Sequence, residues 1–116
     1  MMNQNQETKQ KKLKALENLI ENNKPFFLKL NEWCANNKAA DNPALVEPVH
    51  IYMYKFSHIE EERSRLAFMS PEEVSICFHH IVSIEHQHML KAKTQINDIL
   101  NLENDMRDEF KKTTFH

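Results

Sequence analysis

A chain of 116 residues fits one domain, and 28% charged residues with a mean hydropathy of −0.68 leave room for only a modest core. Glycine is absent, which disfavours glycine-dependent phosphate loops and tight hairpin turns, and so counts against a nucleotide-binding α/β enzyme and a β-rich fold. The formal charge of −2 is unevenly spread: residues 1–38 carry seven lysines and four glutamates, residues 39–110 six basic and thirteen acidic side chains.

Residues 1–6 are polar and read as a disordered start, leaving 7–116 as a single helical domain. A first helix is expected from about Glu7 to Asn22, with Leu13, Leu16 and Ile20 as its apolar stripe. Asn22-Asn23-Lys24-Pro25 predicts a break, because asparagine tolerates cap conformations and proline suits a first turn. A second helix, Pro25 to about Asn37, then presents Phe26, Leu30, Trp33 and Cys34.

Asp41-Asn42-Pro43 is a cap followed by proline and starts a third helix that runs to about Phe68, with a bend or late start at Pro48. Val46, Val49, Met53 and Phe56 share one side of it, and Glu60 and Ser64 fall on that side too. Met69-Ser70 turns the chain. Ser70-Pro71-Glu72-Glu73 is a strong start signal for a fourth helix: a serine cap, a proline at the first position and two acids at the positive dipole end. No later proline interrupts it, so it is expected to reach about Phe110, some 60 Å at 1.5 Å per residue.

The fold class is therefore all-α: an antiparallel helical bundle of about four helices with a long C-terminal helix. Paired with a shorter third helix, the fourth overhangs by roughly 20 Å beyond about Thr94. Its stripe there, Ile96, Ile99, Leu102, Met106 and Phe110, reads like a coiled-coil seam that needs cover and predicts a homodimer or another protein partner.

In its first half the seam runs Val74, Phe78, Ile81, Glu85, His88, Ala92, so two ionisable residues interrupt an apolar ladder. Glu85 and His88, three residues apart, can pair on one face. The Glu-x-x-His spacing is also used by carboxylate-bridged di-iron bundles, and a second copy stands at Glu47-Pro48-Val49-His50. Antiparallel pairing sets residue 50 level with about residue 89, so His50, Glu85 and His88 form a candidate transition-metal site as an alternative to a chain without cofactor. Against it, Glu47 lies off the stripe and Pro48 disturbs the helix. His79, His80 and His86 project away from the seam as a solvated face.

Cys34 and Cys77 form no disulfide framework and read as small buried hydrophobes. With no nucleophile elbow and no glycine-lined oxyanion loop, the chain does not read as an enzyme. Lys9, Lys11, Lys12 and Lys14 offer a basic arm for nucleic acid, but no aromatic interleaving or base-reading module accompanies them. No apolar run is long enough for a membrane span, and the polar N-terminus lacks a signal-peptide core, which makes the cytoplasm the default compartment. Lysine and asparagine richness fits an AT-rich bacterial or phage genome. The leading expectation is a small interaction protein: a regulator, inhibitor, adaptor or chaperone.

Overall fold

The computed structural model describes residues 4–37 and 41–103. Its elements are α1 (Gln4–Asn36), α2 (Pro43–Leu66), α3 (Pro71–His80) and α4 (His86–Leu100), the last two joined without a break by a π-helical turn, Ile81–Glu85. Together α3, the π turn and α4 form one C-terminal helix, so the described residues make a bundle of three long helices, and the expected four are not seen among them.

The difference lies in α1. Its proline, Pro25, sits inside a 33-residue helix and does not break it. An interior proline costs about 3 kcal/mol, because it removes one amide donor and crowds the preceding turn. Tertiary contacts on both sides offset that cost. Phe26 meets Tyr52 edge to face, with centroids 4.9 Å apart, and Phe27 stacks on Phe56 at 4.2 Å. Asn23, which was expected to stop the helix, is buried; its side-chain amide donates to the Leu19 carbonyl at 2.9 Å, and its own carbonyl accepts from the Tyr52 hydroxyl at 3.1 Å. Residues 4–6, assigned to a disordered start, are the first residues of α1.

Both later start signals act as expected. The Asn42 side chain accepts from the Ala44 amide at 3.1 Å ahead of Pro43, and the Ser70 hydroxyl accepts from the Glu73 amide at 3.3 Å ahead of Pro71. Pro48 is buried within α2, which continues through it.

Helix directions follow from the cross-contacts. On α1 and α2, Lys9 reaches Ala67, Glu17 reaches Arg63 and Asn23 reaches Tyr52, so the two run antiparallel. Glu47 and Gln95 line one hollow, and His58 meets Glu85, so α2 and the C-terminal helix are antiparallel as well. One core serves all three, with Leu16, Leu30, Tyr52, Ile59, Ile81, Met89 and Ile96 almost fully buried.

The C-terminal helix ends at Leu100, ten residues short of the expected end. Asn101 takes the left-handed conformation, φ 58° and ψ 37°, and its amide donates to the Asn97 carbonyl at 2.9 Å. Asparagine here fills the position that glycine takes in most helix stops. The chain then folds back, placing Leu102 in the core and the Glu103 carboxylate 2.7 Å from Lys93 Nζ.

The predicted overhang is absent from the described residues. Pro43, at the start of α2, lines a hollow together with Asp98 and Ile99, so the two helices begin and end level. Ile96 and Leu102 are covered within the single chain, and Ile99 alone of the described stripe stays 43% exposed. Met106 and Phe110 lie outside the described residues. No described helix is long and apolar enough to cross a membrane.

Candidate functional site

Helix α1 covers only one side of the pair formed by α2 and the C-terminal helix. Phe56 and Arg63 of α2 and Ser75, Phe78 and Lys93 of the C-terminal helix turn toward it. On the opposite side the same two helices leave a groove with three open hollows in line. The first, about 420 Å³, lies among Pro43, Ala44, Glu47, Gln95, Asp98 and Ile99. The second, about 300 Å³, lies among Glu47, Ile51, Lys55, His88, Lys91 and Ala92. The third, about 290 Å³, lies among His58, Glu62, Ile76, Cys77, His80, Ile81 and Glu85. From Pro43 to Glu62 the groove follows twenty residues of α2, about 29 Å of helix.

A polar node forms the floor between the second and third hollows. Glu85 is 4% exposed, and burial of a lone carboxylate there would cost several kcal/mol. His58 Nδ1 donates to Glu85 Oε1 at 2.7 Å, and Lys55 Nζ lies 3.6 Å from the same oxygen. The other ring nitrogen of His58 is 3.5 Å from Glu62 Oε1, which also accepts from Arg65 at 2.8 Å. An imidazole is thus held between two carboxylates from two helices, with cations closing both ends.

The π turn explains why Glu85 meets His58 and not His88. Buried positions run Ile81, Glu85, Met89, Ala92, Ile96, two steps of four before the usual three. A regular 3-4 ladder would have placed His88 in the seam. The wider π turn instead gives that place to Met89 and turns His88 outward, where it is exposed on the groove wall.

The candidate metal ligands are therefore dispersed. Glu85 is buried beneath His58, His88 is on the rim, and His50 is exposed on α2, stacked on Tyr54 with centroids 6.3 Å apart. Among the described residues, no three His, Cys, Asp or Glu side chains come together as a metal site. Glu60 and Ser64, expected on the packed side of the third helix, are exposed; Lys55, His58 and Glu62 supply the polar contacts instead. A wheel for α2 centred on Leu45, Tyr52, Ile59 and Leu66 would have found them, because those positions put 55, 58 and 62 on one flank.

The basic arm is largely spent on the fold. Lys9 donates to the Ala67 carbonyl at the end of α2 at 3.1 Å, and Lys12 donates to the Ser75 hydroxyl at 2.7 Å while lying over the Phe78 ring. Cys34 and Cys77 are both free and half-buried, and burial pushes the Cys34 thiol up from its ordinary value. His86 is half-buried; burial, then the charge of Lys93, lower its imidazole from the usual value.

Comparisons with protein-family models, with curated proteins and with solved structures give no match to this chain.

Proposed function

We propose that this protein is a protein–protein interaction module, acting as a regulator, inhibitor, adaptor or chaperone, and that its working surface is the groove between α2 and the C-terminal helix. The observation that carries the reading is the alignment of three hollows on the side of the helix pair that α1 leaves open. A groove between two antiparallel helices matches the shape of a third, and helix-in-groove docking is a recurrent mode of recognition. Ile51, Ile76, Ala92 and Ile99 give this groove apolar contacts, and charged side chains form its rims. The earlier expectation of a homodimer through the C-terminal stripe has lost its basis at Ile96 and Leu102, whose cover comes from within the chain.

The reading is tested by titrating the protein with amphipathic helical peptides while following backbone amide NMR signals. Perturbations should centre on Ile51, Lys55, Ala92 and Gln95 and be lost in the groove-filling variant Gln95→Trp, whose site is exposed on the groove wall. Perturbations centred on the outer face of α1, or binding unchanged in that variant, would refute it.

A further inference from the structure

The charges on the two groove walls narrow the choice of occupant. At the centre stand Lys91 and His88 on the C-terminal helix, facing Lys55 of α2, which also lies 3.6 Å from the buried Glu85. Toward the Pro43 end stand Glu47 on α2 and Asp98 on the C-terminal helix. Lys91 and Asp98 are seven residues apart, about 10.5 Å along the axis; Lys55 and Glu47 are eight apart, about 12 Å. The helices run antiparallel, so both walls carry the same order: a cation at the centre and an acid two turns toward the Pro43 end. The remaining third of the groove behaves differently. Its carboxylates, Glu62 and Glu85, are already engaged by Arg65, His58 and Lys55, and Ile76, Cys77 and Ile81 give it an apolar surface.

Resting on the groove reading above, we infer that the occupant is an amphipathic helix of a different protein, with an acidic residue at the groove centre, a basic residue two turns on, and an apolar anchor in the hollow between His58 and Cys77. A second copy of this chain fits less well. Packing groove on groove sets one concave surface against another and leaves the hollows of both copies unfilled, whereas a single convex helix fills them. The described chain beyond the C-terminal helix also leads away from the groove, because Glu103 pairs with Lys93, which lies over Phe26 of α1.

The test uses three fluorescent synthetic peptides of about 22 residues, enough to span the groove at 1.5 Å per residue. They share one apolar stripe and differ at two positions seven apart: Glu then Lys in the matched peptide, Lys then Glu in the inverted one, Gln at both in the neutral one. Fluorescence anisotropy with the full chain should show the matched peptide binding roughly tenfold tighter than the inverted one, with the neutral peptide between. The exposed double variant Lys91→Glu/Asp98→Lys should reverse that order, with circular dichroism confirming an unchanged fold. Equal affinities for matched and inverted peptides, with Gln95→Trp still abolishing both, would overturn the charge assignment and leave the groove reading standing. No binding by any peptide, or binding indifferent to Gln95→Trp, would overturn the groove reading itself. Sedimentation showing a dimer that Gln95→Trp dissociates would put a second copy in the groove and overturn the proposal. Nuclear Overhauser contacts from Ile51 or Ala92 to residues 104–116 in the free chain would do the same in favour of its own segment.

Discussion

The side-chain amide of Gln87 donates to the carbonyl oxygen of Val82 at 3.4 Å, five residues back along the helix. In a regular helix that carbonyl would accept from the His86 amide, but His86 bonds Ile81 instead. Gln87 thus offers the Val82 carbonyl a side-chain donor at the end of the π turn. The turn accommodates one extra residue between Ile81 and Glu85, so its removal should restore a regular 3-4 seam. Deleting the exposed Ser83 is expected to leave a folded, helical protein whose stability changes by no more than about 2 kcal/mol, readable by urea unfolding followed by circular dichroism. Collapse of the fold would show that the π turn is required for it.

His58→Ala leaves Glu85 buried with only Lys55, at 3.6 Å, to balance it. The expected loss is about 2 kcal/mol. Replacing both His58 and Glu85 with leucine should recover most of that loss, because Lys55 can extend its ammonium to solvent once its buried partner is gone. Chemical denaturation of the single and double variants checks it, and a double variant less stable than the single one would contradict it.

Burial, and then the carboxylate of Glu103, raise the Tyr52 phenol above its ordinary value. The folded state thus keeps a proton that the unfolded chain gives up near pH 10, so stability should fall as pH rises beyond about 10. Tyr52→Phe removes the hydrogen bond to Asn23, at a cost of about 1 kcal/mol near neutral pH. The gap between the two proteins should narrow above pH 10, as measured by urea unfolding at pH 8 and pH 11.

His86 carries the opposite sign at the acid end. Its imidazole is lowered in the folded state, so the unfolded chain takes up the proton first as pH drops below about 6.5. Stability should decline through that range and level off below the folded value. In His86→Gln the decline should be shallower, and thermal melts at pH 7.5 and pH 5 give the comparison. An identical acid response in both proteins would remove His86 as a cause.

Asn101 holds φ at 58°, a region open to glycine and tolerated by asparagine. Asn101→Gly should change stability by less than about 1 kcal/mol, whereas Asn101→Val should cost about 1–2 kcal/mol through steric strain. The valine variant should also weaken the seating of Leu102, visible as faster amide exchange at the end of α4.

Much of this architecture is readable from local chemistry. Ser70-Pro71 and Asn42-Pro43 announce helix starts because a side-chain acceptor and a fixed φ act within four residues. Pro25 misleads because its cost is offset by aromatic contacts with residues 52 and 56, which no local pattern reveals. The same holds for the site. Glu85 stands out in sequence as a charge in an apolar ladder, but its partner is chosen by the π turn, which moves the seam from His88 to Met89. The end at Asn101 is concealed in an asparagine-rich chain, where the residue type carries little information by itself.

Glu85, His58, Lys55 and Glu62 are bonded to one another within the free chain, so a docking helix need not organise them. Most of the loss of conformational freedom on association would then fall on the incoming segment. Affinity should follow that segment's own helical propensity, and a partner disordered in isolation would bind with a large unfavourable entropy and a negative heat-capacity change.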